Sequence, residues 1–156
     1  MLTPEMLLML TLLAPMPAGQ ALPSDPLQRS ATRAMRGDFG RLKPWQSAWY
    51  ARALETQPDS RRVWLTQYGM WGPQHYQGDD YHIAANPRYM VRGTVVWLSK
   101  PGQLRVVTNR GASSNDAVAR RRGCEHWVDI WTRYRGQYGL DTTTCEAYVL
   151  GRAGGW

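Results

Sequence analysis

Asp129 stands in the run Trp127-Val128-Asp129-Ile130-Trp131, a carboxylate inside a stretch of β-branched and aromatic residues. Side chains alternate across a strand, so Val128 and Ile130 point to one face and Trp127, Asp129 and Trp131 to the other. A carboxyl between two indoles is partly desolvated. Loss of solvent disfavours the charged form and raises the pKa toward the range a general acid needs. Asp129 is therefore the candidate catalytic residue, giving and taking a proton. A structural alternative stands beside it, a strand carboxylate paired with Arg133 or Arg135, because part-buried acids usually have a cationic partner. Asp116 and Glu125 are reserve acids, followed by Asp79 and Asp80.

Other residue types narrow the chemistry. His75, His82 and His126 occur without an H-x-x-x-H or Cys/His pair at ligand spacing, so the sequence predicts no metal and no cofactor. Trp71, Tyr76 and Tyr81 fall in a stretch rich in glycine, proline and aromatics, read as a long loop of the kind that lines grooves. Their flat faces, with His82, Trp127, Trp131 and Arg110, form the candidate substrate-binding set for a sugar ring packed on aromatics with polar rims. The alternative is a loop that only covers the domain. Arg120-Arg121-Arg122 closes an Arg-rich loop whose guanidinium forks suit carboxylates and phosphates, or simply meet solvent.

The elements that must carry these residues are short. Arg62-Val63-Trp64-Leu65-Thr66-Gln67-Tyr68, Gly93-Thr94-Val95-Val96-Trp97-Leu98, Arg105-Val106-Val107-Thr108-Asn109 and Thr142 through Leu150 are strand-like runs separated by Gly, Pro and Asn turns. Residues 62–151 thus read as one small, mainly β domain, followed by a tail at 152–156. Ahead of it, 22–43 reads as a linker or loosely ordered arm. Residues 44–57 read as a short helix, with Pro44 at a permitted first-turn position. Trp45, Trp49 and Arg52 are at helical spacing, predicting that the helix packs on the barrel, with a sugar platform as the sharper alternative.

The series Trp64-Leu65-Thr66-Gln67-Tyr68, Ile83-Ala84-Ala85-Asn86-Pro87, Val91 through Trp97, Val106-Val107-Thr108-Asn109-Arg110-Gly111 and Trp127-Val128-Asp129-Ile130-Trp131 resembles the 3D domain. That family, named for three aspartates, is a six-stranded double-psi β-barrel of murein lytic transglycosylases and related secreted cell-wall proteins. The likeness covers roughly the last ninety residues, by where the strands begin. The family's first aspartate falls on Asn86, its second on Asn109 and its third on Asp129. The resemblance implies cleavage of the glycan strand with Asp129 as general acid and base. The sugar's own 6-hydroxyl would attack and close an anhydro ring, so that one acid suffices. Asn86 and Asn109 can hydrogen-bond substrate but cannot exchange a proton. Two alternatives stay open: a non-catalytic barrel binding cell-wall glycan, and a secreted effector that holds a protein partner through its Arg-rich loop.

Residues 1–21 carry an apolar run, Met6 to Ala14, then Pro15, Pro17 and the small-residue end Ala18-Gly19-Gln20-Ala21. The run is too short to span a bilayer and reads as a signal peptide, although Glu5 and the lack of Lys or Arg before it are atypical. Export to the cell envelope, periplasmic or secreted, is the expectation. No stable membrane insertion remains after cleavage, and the exported product is read as a monomer. Cleavage removes Glu5 and no basic residue, adding one to a formal charge of +7. A cationic exported protein is drawn to peptidoglycan or another anionic wall glycan, whereas an exported location excludes nucleic acid as a partner. An exported chain with two cysteines, Cys124 and Cys145, predicts a disulfide between them.

Overall fold

The computed structural model describes residue 19 and residues 21–68, 81–132 and 143–154. The chain divides into two units, Met1–Leu54 and Glu55–Trp156.

The first unit is helical where it is described. Helix α1 spans Pro26–Met35, with Pro26 in its first turn and the Asp25 side chain accepting from the Gln28 amide at 2.8 Å. A capping carboxylate satisfies an amide that has no partner inside the helix, which is why the helix starts here. Leu27, Ala31 and Ala34 recur at helical spacing and are buried. This corrects the expectation of a loosely ordered arm over 22–43: the Ser/Asp/Pro run that resembled a linker is a helix start. Helix α2 spans Pro44–Thr56, close to the predicted bounds. Its buried positions are Tyr50 and Ala53, while Trp45 and Trp49 are half-buried. Gln28 Nε2 donates to the Ala53 carbonyl at 2.7 Å, and Phe39 meets the Tyr50 ring at 6.2 Å between centroids.

The second unit is a closed barrel of six strands: β1 (Ser60–Tyr68), β2 (His82–Ala85), β3 (Thr94–Leu98), β4 (Gln103–Arg110), β5 (His126–Trp131) and β6 (Thr143–Arg152). Around the barrel the order is β1-β5-β2-β4-β3-β6. Two neighbouring pairs, β1 with β5 and β2 with β4, run parallel; the other four are antiparallel. Closure removes the exposed sheet edges that would pair with other chains. The interior is filled by Val63, Leu65, Ile83, Ala85, Val96, Leu98, Val107, Val128, Ile130 and Ala147, drawn alternately from the strands as the two-residue period requires.

A third helix, α3 (Ser114–Arg121), lies between β4 and β5, in the stretch that the sequence presents as an Arg-rich loop. Asp116 and Ala119 are its buried positions, so five residues after Gly111 the chain already has a face that packs. The connection into α3 depends on Gly111. Its amide donates to the Ala85 carbonyl at 2.8 Å, and a Cβ at this position would overlap the Trp127 ring.

The predicted disulfide is absent: Cys124 and Cys145 are both buried free thiols. Cys145 belongs to the barrel interior with Val63 and Ala147, whereas Cys124 packs with Ala84, Ala119 and Trp127. The two thiols thus occupy clusters on opposite faces of the sheet, and a disulfide requires their Cβ atoms to face each other.

Candidate active site

Asp129 occupies the middle of β5, with Thr66 of β1 and Ala84 of β2 as its register partners on either side. Ala84 in turn pairs with Asn109 of β4. Thr66, Asp129, Ala84 and Asn109 therefore form one row across four strands on the outer face of the barrel, opposite the interior set of Val128 and Ile130. The first of the three positions matched to the family aspartates lies elsewhere, but the second and third share this row.

Asn109 reaches the row through a register shift between Ile83 and Ala84. Ile83 pairs with Val107 and Ala84 with Asn109, so Thr108 is left over. An extra residue of this kind re-aims side chains. Thr108 Oγ1 lies 3.0 Å from His82 Nδ1, and Asn109 Nδ2 donates to the Tyr68 hydroxyl at 2.8 Å. Tyr68 starts on β1, two strands away from β2 and three from β4, so its phenol spans the outer face of β5 and β2. Ala84 is small, and Tyr68 packs on the cluster containing it.

The Asp129 carboxyl is part-buried and has a defined polarity. Trp127 Nε1 donates to Thr66 Oγ1 at 2.8 Å, and the Thr66 hydroxyl donates to Asp129 Oδ1 at 2.6 Å. With its oxygen occupied by the indole, the hydroxyl proton is directed to the carboxyl. Burial pushes the Asp129 pKa from 3.8 up to about 6, against the lowering effect of the Thr66 hydrogen bond. Among the described residues no Lys or Arg pairs with it. Arg133 and Arg135, the structural alternative, lie outside the described residues. Since Oδ1 accepts from Thr66, the proton of the neutral acid sits on Oδ2, where it can be given away.

Trp127 and Trp131 are both 7% exposed. Covered to this degree, they do not offer open faces to a ring, which revises their expected role as stacking platforms. Trp127 is held under α3 with Ala84, Ala119 and Cys124. Thr66 and Tyr68 are site residues that the initial reading missed. Their signal was present in Trp64-Leu65-Thr66-Gln67-Tyr68, where alternation about the buried Leu65 places Trp64, Thr66 and Tyr68 together on the Asp129 face.

Asn86 and Asp116 form a second cluster at the end of β2. Asn86 Nδ2 donates to Asp116 Oδ2 at 2.7 Å, and the Trp127 amide donates to Asp116 Oδ1 at 2.9 Å. Asp116 is 1% exposed, so this reserve acid is a buried tie between α3, β2 and β5 and does not meet the groove. Glu125, the other reserve, is exposed and lies 3.5 Å from the Arg61 guanidinium. Tyr81 rests on His82 at 4.6 Å between ring centroids. His82 is two residues from Ala84 along β2, about 7 Å from the Asp129 row at strand rise.

Arg110 ends β4 and is exposed. Arg120, Arg121 and Arg122 end α3, and the Arg122 guanidinium lies 4.7 Å from the centre of a Trp64 ring. Trp71, Tyr76, Asp79 and Asp80 lie outside the described residues, as does most of the predicted signal, 1–18 with 20.

Burial raises both thiols, Cys145 to about 11, which leaves neither as a ready nucleophile. Among the described residues no group of three His, Cys, Asp or Glu is placed to hold a metal ion. No helix there is long and apolar enough to cross a membrane. Compared with models of known families, with curated proteins and with solved structures, the chain matches none.

Proposed function

We propose that the barrel is of the double-psi type and acts on a cell-wall glycan, with Asp129 as the group that gives and takes the proton in a lytic transglycosylase reaction. Two parallel strand pairs in a six-stranded closed barrel support the type. The observation that carries the activity is the Asp129 carboxyl itself, part-buried, raised to about 6 and held, among the described residues, through one oxygen. In the reaction, Oδ2–H protonates the glycosidic oxygen as the bond to C1 breaks through an oxocarbenium-like state. The carboxylate left behind then takes the proton of the sugar's 6-hydroxyl as that oxygen bonds to C1. The product is a 1,6-anhydro sugar, and the acid is restored without water.

Such a protein belongs in the cell envelope, and residues 1–21 as a signal segment fit this placement. The cationic surface suits an anionic wall polymer. Incubation with purified sacculi tests the proposal: anhydro-muropeptides appear with the wild type and are absent with Asp129→Asn.

A second reading, a non-catalytic barrel that binds wall glycan, is favoured by one observation. Asn86 and Asn109, at two of the three aspartate positions, are engaged by Asp116 and Tyr68 in hydrogen bonds within the fold. Sedimentation with sacculi, equal for the wild type and Asp129→Asn and without soluble product from either, supports this reading over the first.

A further inference from the structure

At the carboxyl ends of the parallel strands β2 and β4, where Ala85 is paired with Arg110, two cavities of about 310 Å³ each adjoin. Both are lined by Pro87 and Arg110. The first is polar, bounded by Arg88, Arg110, Ser113 and Ser114. The second lies over Ala85, Met90 and Val107, which are buried in the barrel interior, and has Arg92 and Arg110 on its walls. Among the described residues no acidic side chain lines either one, and no carboxylate pairs with Arg88, Arg92 or Arg110. Three guanidinium groups on these walls, with no paired carboxylate among the described residues, raise the local potential for an anion, and each is a planar fork matched to carboxylate geometry.

The backbone that carries Arg88 and Arg110 is fixed in advance. The turn after β2 folds back on Asn86, whose carbonyl accepts from the amides of Tyr89 and Met90 at 3.0 Å each. Asn86 Oδ1 accepts from the Arg88 amide at 3.1 Å, and Asn86 Nδ2 is tied to the buried Asp116. Arg110 is the last residue of β4, and the Gly111 amide after it is held by Ala85. Pre-organised donors lose less freedom on binding than mobile ones. Tyr89 and Val91, 53% and 43% exposed, continue the same turn and add apolar surface at its edge.

We propose that these adjoining cavities bind an acidic peptide, its carboxylate between Arg88 and Arg110 and a small aliphatic side chain against the exposed Tyr89 and Val91 at the edge of the cleft. The exposed apolar edge beside the basic wall favours a peptide over a bare anion, which would leave that edge unused. Asn109, a member of the Asp129 row, lines the second cavity, so the cleft adjoins that row. The inference deepens the reading above, because peptides attached to a wall glycan are the acidic peptides such a cleft would meet.

Calorimetric titration of the full chain with acetyl-Ala-Glu-Ala tests it, with acetyl-Ala-Gln-Ala amide and inorganic phosphate as the other arms. Amide shifts at Thr108 and Arg110 report the location. The expected result is binding of the acidic peptide that weakens with salt, and weakens about tenfold or more in Arg88→Gln/Arg110→Gln, as removal of charge-assisted hydrogen bonds implies. Both arginines are exposed, and an unchanged melting temperature confirms that the double variant is folded. The proposal is overturned if the peptide does not bind or if the neutral amide binds as tightly. It is equally overturned if the folded double variant keeps the wild-type affinity, or if phosphate alone occupies the cleft. Asp129→Asn is expected to bind the peptide as the wild type does, so loss of glycan cleavage with peptide binding retained separates the two proposals.

Discussion

The Thr66 hydroxyl donates to Asp129 Oδ1 at 2.6 Å while accepting from the Trp127 indole, so one side chain on β1 orders both a catalytic candidate and the ring beside it. Removing the hydroxyl has two separable consequences. In Thr66→Val the carboxylate loses the bond that lowers its pKa, so Asp129 titrates above the wild-type value of about 6. The indole N–H also loses its acceptor, at a cost of about 1–3 kcal/mol if it stays buried. Carboxyl carbon NMR for the first effect and urea unfolding for the second are the measurements; an unshifted or lowered Asp129 titration contradicts the assigned hydrogen bond.

The raised pKa of Asp129 makes stability depend on pH in a stated direction. Between about 4 and 6 the folded chain holds this proton more tightly than the unfolded chain, so stability contributed by the neutral acid falls as pH rises through that window. Asp129→Asn has no charge to bury. It is expected to be more stable than the wild type at pH 7 by about 1–2 kcal/mol, a figure reduced for partial solvent screening. The advantage should fade below pH 4. Paired urea melts at pH 3.5, 5 and 7 check this, and a variant less stable at pH 7 contradicts the account.

Asn86→Asp would place an aspartate where the resemblance implies the family's first, yet it sets a second carboxylate against Asp116, whose Oδ2 now accepts at 2.7 Å from the Asn86 amide. Like charges at that separation cannot both ionise without a large penalty. The variant is expected to be less stable at pH 7 by about 2–3 kcal/mol, as for other buried polar groups left mispaired, and to recover much of this in acid. Thermal unfolding at pH 4 and pH 7 gives the comparison. Equal losses at both would mean that charge is not the cause.

Gly111→Ala tests the close approach between the α3 connection and Trp127. The added methyl meets the indole ring, so either the ring or the Gly111–Ala85 hydrogen bond must yield. Destabilisation of about 1–3 kcal/mol is expected, as for other overpacked sites, together with a changed tryptophan emission. Wild-type stability and fluorescence would show that this contact is not tight.

Without reductant, the denatured chain should react with two equivalents of a thiol reagent, and the native chain much more slowly, because both thiols are buried. Denatured protein with no free thiol would establish the disulfide expected from sequence.

The strands were legible because Val63 and Leu65, Val128 and Ile130 mark one face of each with no help from neighbours, whereas the closed barrel was implied only by the resemblance. The same alternation placed Asp129 with Trp127 and Trp131. What partners Asp129 was not legible, since Thr66 is 63 residues away and register between non-adjacent strands has no local signal. Helix α1 was hidden because Asp25-Pro26 looks like a turn and is also a cap followed by a first-turn proline. Asp116 looked like a spare acid. Only the folding of its segment into α3 carries the carboxylate inward to Asn86 and the Trp127 amide.

The most direct test of the central claim is the rate of anhydro-sugar release from purified sacculi as a function of pH. With Asp129 as the proton donor, the rate with bound substrate is high in mild acid and declines above an apparent pKa near 6, and Asp129→Asn releases no product at any pH. Release by Asp129→Asn at the wild-type rate, or a wild-type rate unchanged from pH 4 to 8, would show that this carboxyl does not deliver the proton.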